Sequence, residues 1–463
     1  MRGAIARTAG VTRFGIALLA GILSVSGITR DSGSSGQARR YTALFGGTET
    51  AWRDFTYHFW DPGNAIPRLR PTGGDGGIRN DAPYPVFWHM AQASNVLFWR
   101  WKTTRSEPVR EMIRSQFREM RSRYSDAMLS SAAWAGYRAN SIINVEDDAS
   151  WAIAYFCQVH EATGDPAALR IAEALTGSTY ATYADPNHGG AGLLYAVPGQ
   201  DPDHQGWSSG YEAVAARCAV YLFEQTSHGH LLGFAQQTWE WMHKYLRHPT
   251  GVYFAELDIR PSLRGAANPD YRKPVGWNRP GDIKRGGSIT FLGGTMGMAS
   301  LSAALYMVTG EAKYLDEVRS IVAGMTRQET FLRPGAAVGV SGDVIANERD
   351  GWTDGFTAPY LVSDALSLEG VDTDGKLKQA LMNTALAVTK QRTSDGFYGA
   401  DWSGPEWDPA HRWNTWAAQA GGGTGSGTGM ASAWQMPTTS SSVSMVLAGE
   451  MVERSTSRKT EGG

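Results

Sequence analysis

A short turn that recurs between apolar helical segments restricts this chain more than any other feature. In Thr163-Gly164-Asp165-Pro166-Ala167-Ala168-Leu169 the glycine suits the left-handed residue that ends one helix. Asp165 can cap the next helix, and Pro166 suits a first helical position. Thr309-Gly310-Glu311-Ala312-Lys313-Tyr314-Leu315 repeats the pattern, and Glu224-Gln225-Thr226-Ser227-His228-Gly229-His230-Leu231 is a looser copy. Each copy is a helical hairpin. Apolar periodicity predicts twelve helices, near residues 41–60, 84–103, 107–126, 148–163, 165–177, 208–226, 229–246, 288–309, 311–327, 352–368, 375–391 and 433–453. The fold class is all-α, an (α/α)6 toroid of six helical hairpins around one ring-shaped core. An open solenoid is the competing arrangement. The chain has no polar capping repeat at either end, as an open array needs, and closure is preferred.

The N-terminus carries a separate signal. Arg2, Arg7 and Arg13 precede or flank an apolar run over residues 14–23, and Ser24-Val25-Ser26 supplies small residues for cleavage. The expected layout is a secretory signal peptide over 1–26, a flexible lead-in over 27–40, a single toroidal domain over 41–455 and a disordered tail over 456–463. The product would be secreted or periplasmic and monomeric. No later segment approaches the ~20 apolar residues needed to span a bilayer. The formal net charge is −2 before cleavage, and loss of three arginines and no acid makes it more negative. Lys and Arg are scattered, which disfavours a nucleic-acid partner. The two cysteines, Cys157 and Cys218, read as small core side chains, with a single bridge feasible only if their helices are neighbours.

Links within hairpins are short, whereas those between hairpins are long: 127–147, 178–207, 247–287, 328–351 and 392–432. In an alternating toroid the long links all emerge at one end, the candidate active face. Asp147 and Asp148 close one of these links at a helix start. Acids in a first turn are often caps for orphan N–H groups, but one acid suffices for that, and a second adds repulsion. A shared chemical task is the stronger reading in this context. The long links also hold Trp134, Trp207, Trp277, Trp402, Trp407, Trp413 and Trp416, whose faces suit the C–H faces of sugar rings or clamp the links onto the helices; with aromatics at nearby helix starts, the candidate substrate-binding set is Trp151, Trp207, Tyr211, Trp277 and Trp352. Gly206-Trp207-Ser208-Ser209-Gly210 fits G-x-S-x-G, but Asp201-Pro202-Asp203-His204-Gln205 is not the strand a nucleophile elbow needs, and Ser208 or Ser209 reads as a helix cap. No metal-ligand spacing is present, and no metal or cofactor is expected.

Glycosidic cleavage needs one carboxylic acid to protonate the leaving oxygen and one carboxylate to attack the sugar or activate water. Neighbouring residues at a helix start suit the ~5–5.5 Å separation of a retaining mechanism better than the ~6.5–9.5 Å of an inverting one. At these residues the chain resembles the endo-α-1,6-mannanases of glycoside hydrolase family 76. The likeness rests on Asp147-Asp148 before a Trp-bearing helix, on the Thr-Gly-Asp type turns, and on Gly293-Gly294-Thr295 opening a later helix, and it covers most of residues 84–453. It implies an (α/α)6 fold, with Asp147 as nucleophile and Asp148 as general acid/base in retaining hydrolysis of α-1,6-linked mannose in a polysaccharide or oligosaccharide. The chain departs from the family pattern at Ala152, where a second Trp is usual. It departs again at Gly189-Gly190-Ala191-Gly192-Leu193-Leu194-Tyr195, and at Thr290-Phe291-Leu292-Gly293. Two other readings stand beside it. One is another toroidal carbohydrate enzyme, an unsaturated-uronyl hydrolase or a polysaccharide lyase using Tyr271, Arg279 and Arg285. The other is a non-catalytic glycan-binding protein.

Overall fold

The computed structural model describes residues 32–63, 66–67, 87–135, 137–138, 143–144, 146–184, 193, 207–209, 212–253, 256–258, 292–327, 331–345, 355–392, 396–398, 402 and 435–461. Residues 1–40 and 41–463 cluster as two units. Of the first, the described residues 32–40 are helical, and the proposed signal peptide lies outside the described residues.

The second unit is an (α/α)6 toroid. Its inner ring is made of α2 (Phe87–Thr104), α6 (Glu146–Thr163), α8 (Glu212–Thr226), α10 (Leu292–Thr309), α12 (Ala358–Tyr360, continued by a π turn, Leu361–Ala365) and α14 (Gln435–Glu461). Each packs on the next, and α14 returns to α2, so the ring is closed. The outer helices are α1 (Ser32–Phe59, of which residues 41–59 lie in this unit), α3 (Glu107–Arg123), α7 (Pro166–Tyr183), α9 (Gly229–Tyr245), α11 (Ala312–Met325) and α13 (Lys376–Lys390). Two single-turn helices, α4 (Asp126–Leu129) and α5 (Ala132–Ala135), lie in the link before α6. One continuous apolar cluster draws residues from all twelve long positions, from Phe55 on α1 to Val446 on α14. Open packing is thereby excluded.

The hairpin turns share one construction. Before the turn a threonine, at 104, 163, 226 or 309, donates its hydroxyl to the carbonyl four residues back. The same oxygen accepts the N–H two residues on, from Ser106, Asp165, His228 or Glu311, at 3.2–3.3 Å. Between them sits a left-handed residue: Arg105 (φ 54), Gly164 (φ 72), Ser227 (φ 61) or Gly310 (φ 71). Its N–H bonds the carbonyl four residues earlier, which satisfies an orphan acceptor of the ending helix. In the next turn Asp165 caps α7 by accepting from the Ala167 N–H at 2.8 Å.

Element boundaries differ from the sequence expectation where the chain enters an inner helix. α6 begins at Glu146 rather than Asp148, and α8 at Glu212 rather than 208. Residues Trp207–Ser209 form a strand, β5, paired antiparallel with β6 (Glu256–Asp258), which overturns the reading of Ser208 or Ser209 as a cap. Backbone pairing between two different links holds these serines extended. The expected helix over 352–368 is much shorter, because turns occupy 355–357 and the helical run passes into the π form after Tyr360. α14 continues to Glu461. The other strand pairs, β1–β2 (Trp60–Asp61 with Ile66–Pro67), β3–β4 (Tyr137–Arg138 with Ile143–Asn144) and β7–β8 (Leu332–Pro334 with Asp343–Ile345), also lie in links.

Every outer-to-inner link is long and every inner-to-outer turn from α2 to α11 is short, so the links share the end where inner helices start. Toward the other end the lumen is closed by side chains. Gln158 Nε2 donates to Asn95 Oδ1 at 2.7 Å and to Tyr360 OH at 2.6 Å, and Trp99 Nε1 donates to the same Asn95 oxygen at 2.9 Å. Asn95 Nδ2 reaches Ser444 Oγ at 3.4 Å. The Arg217 guanidinium makes two bonds to Asp364, at 2.9 and 3.1 Å, and lies 5.2 Å from the Tyr360 ring centre, while Ser300 donates to Asp364. All six inner positions contribute to this polar plug.

Candidate active site

A two-residue β-ribbon, β3–β4, delivers the chain to α6, whose first turn is Glu146-Asp147-Asp148. Acids are favoured there because a first turn leaves backbone N–H groups without intrahelical partners. Asp147 Oδ1 accepts the Asp148 N–H at 2.9 Å. Both aspartates are buried, with Asp147 8% and Asp148 1% exposed, and Asp147 is the more open.

Glu146 is the residue that sequence reasoning passed over. It is fully buried. One oxygen accepts the Ser150 hydroxyl and the other, Oε2, has no partner among the described residues. Burial pushes its carboxyl up to about 8, the charges of Asp147 and Asp148 add to the rise, and the Ser150 hydroxyl opposes it. At neutral pH the side chain is therefore a neutral acid beside the pair. Its signal in the sequence was its position in the same turn. What hid it was that exposure and partners are not read from spacing.

The neighbouring helix starts are pinned to the links. Glu212, in the first turn of α8 and fully buried, accepts the Leu193 N–H at 3.2 Å. Thr295, in the first turns of α10, accepts the Tyr253 N–H at 3.0 Å. Ser441 on α14 accepts the Gly355 N–H at 3.0 Å. Tyr180 on α7 feels both Glu212 and Glu146, and burial raises its hydroxyl well above the ordinary phenol range.

Among the aromatic candidates, Trp151 is 2% exposed and meets Phe356 edge-on, with ring centres 5.6 Å apart. It stands in the wall one turn below the acids. Trp207 is the first residue of β5, and Tyr211, Trp277 and Trp352 lie outside the described residues.

Two buried aspartates in one turn, at the end of a helical toroid where its inner helices start, suit acid–base work on a bond held above them. Residues 53–265, a little under half of the chain, match the model of glycosyl hydrolase family 76. That stretch is similar to family 76. It contains the whole of α6 and its acids, so the likeness to a glycoside hydrolase family includes the turn that carries Asp147 and Asp148. The family 76 fold also appears in the solved structures that the chain is similar to. An inactive variant of an α-1,6-mannanase from Salegentibacter sp., with two adjacent aspartates replaced by asparagine and α-1,6-mannotriose bound, aligns with a TM-score of 0.61 at 16% identity, over 88% of this chain and 99% of that one. A family 76 mannosidase from Bacteroides thetaiotaomicron aligns with a TM-score of 0.62 at 14% identity, over 91% and 100%. An unsaturated glucuronyl hydrolase specific for heparin aligns with a TM-score of 0.55 at 9% identity, over 91% and 99%. At these identities the likeness is one of fold. No curated protein matches the chain by sequence.

Proposed function

We propose that the chain is a secreted retaining glycoside hydrolase that cleaves α-1,6-mannosidic linkages in an α-mannan or a related α-linked glycan. The observation that carries this reading is the adjacent buried pair Asp147-Asp148 in the first turn of an inner helix, inside the segment that matches family 76. The Salegentibacter variant supports it, since an enzyme named for this linkage is inactive with two adjacent aspartates replaced. In the proposed cycle Asp148 protonates the glycosidic oxygen as that bond breaks, and Asp147 attacks the anomeric carbon to form a glycosyl ester. Asp148, now ionised, takes a proton from water, whose oxygen displaces Asp147 and restores the starting configuration. The neutral Glu146 keeps a third negative charge out of the turn.

The test is incubation of the purified chain with linear α-1,6-mannan, following the first-formed anomer by proton NMR. Fresh α-anomer is expected. Asp147→Asn and Asp148→Asn should each lower turnover by a factor on the order of 10²–10⁴ or more, with thermal unfolding unchanged in cooperativity. Fresh β-anomer would overturn retention, and full activity in both variants would overturn the assignment of the pair. Release of products absorbing as unsaturated uronates from a polysaccharide panel, with mannan untouched, would move the chain to the uronyl-hydrolase reading.

A further inference from the structure

Cys157 lies near the end of α6 and Cys218 in the middle of α8, two inner helices that pack side by side. Both are free thiols in this structure, 4% and 0% exposed. They line the same small cavity beside the polar plug, with Trp99, Gln158, Arg217 and Tyr360 around them. They are far apart in the chain, and the packing of α6 on α8 brings them to one cavity. We propose that Cys157 and Cys218 are the two halves of an intramolecular disulfide that ties α6 to α8, made by exchange with a small-molecule disulfide before the ring closes.

The chemistry balances without any group the protein lacks except the named oxidant. The thiolate of one cysteine attacks a glutathione disulfide, forms a mixed disulfide and expels one glutathione thiolate. The second cysteine then attacks the protein sulfur of that mixed disulfide and expels the other glutathione. Two protein thiols are oxidised, one small disulfide is reduced to two thiols, and the two protons leave with them. The order follows from burial. In the folded ring desolvation raises the Cys157 thiol well above its ordinary range and the Cys218 sulfur adds to the rise, so the attacking thiolate is scarce and no glutathione reaches it. While α8 is still undocked, both thiols are solvated. The bond would close a long loop of the unfolded chain, which favours the folded state.

The proposal is independent of the glycan and is tested on the full chain without an activity measurement. The chain is unfolded in denaturant with reductant, then refolded with oxidised glutathione or with reductant alone, and alkylated in denaturant. The oxidised sample should carry no alkyl group and lack the mass of two hydrogens; after reductant it should take up two alkyl groups. Its unfolding temperature should exceed that of the reduced sample, and Cys157→Ala and Cys218→Ala should each abolish the difference. The native reduced protein, given the same oxidant, should keep both thiols. Two alkylated thiols, or glutathione adducts in place of a bridge, in the refolded oxidised sample would overturn the proposal, as would equally fast bridging of the native protein. If refolding yields are low, alkylation of chain purified from an oxidising compartment reads the same bond, with the same two outcomes.

Discussion

At the scale of the residue, Glu146 decides how the first turn of α6 responds to pH. Its carboxyl stands at about 8 in the folded chain against an ordinary 4.5. Between those values the native state holds a proton that the unfolded state has released. Stability therefore falls as pH rises through that window, by up to ~1.4 kcal/mol per pH unit, and levels off above it. Glu146→Gln keeps the shape and removes the titration. Urea unfolding from pH 5 to pH 8 should show a shallower fall for the variant than for the parent chain, and equal slopes would refute the assignment. The aspartates stand out in the sequence as candidates because two acids at a helix start exceed what capping needs. The third acid does not, since only burial, with an oxygen left unpartnered among the described residues, separates a neutral core acid from a solvated one. Trp151, one turn along α6 from the acids, packs edge-on against Phe356, a partner that no spacing in the sequence reveals.

At the scale of the element, the repeated turn explains both what the sequence revealed and what it hid. Two copies announced themselves through glycine, at Gly164 and Gly310. The third was blurred by Ser227, and the fourth, at Arg105, carries no glycine at all. The threonine before the turn was the better marker, because its hydroxyl bonds backward to one helix and its oxygen forward to the next in all four. A Cβ at Gly164 would meet nothing within 4 Å, so its replacement is opposed only by the left-handed backbone. Gly164→Ala should cost about 1 kcal/mol, and Ser227→Gly should gain no more than about that, both read from urea midpoints. Starts of inner helices were less legible. There the long links set the boundary through partners distant in sequence, as Glu256–Asp258 does in holding Trp207–Ser209 as a strand.

At the scale of the whole molecule, the hairpin count implied closure, and the ring from α2 round to α14 realises it. The plug was out of reach, because Asn95, Gln158, Arg217, Ser300, Tyr360, Asp364 and Ser444 carry no common motif and meet only when the ring is complete. Arg217 and Asp364 are 15% and 12% exposed, so truncating one leaves the other's charge poorly solvated. Asp364→Ala should lower stability by ~3 kcal/mol. The site lies roughly 16 Å away along α6, so turnover measured well below the new unfolding temperature should persist; loss of activity in a folded variant would show that the plug also shapes the pocket. The shared polarity of the inner helices has a further consequence. All six start at the end that holds Asp147 and Asp148, and the start of each of the five long ones carries about half a unit of positive charge from its aligned peptide dipoles. The pocket end is thus an electropositive ring built from backbone alone. It offsets the repulsion between two carboxylates crowded into one turn, and it leaves the other end as the negative pole, where Lys102 lies in the last turn of α2.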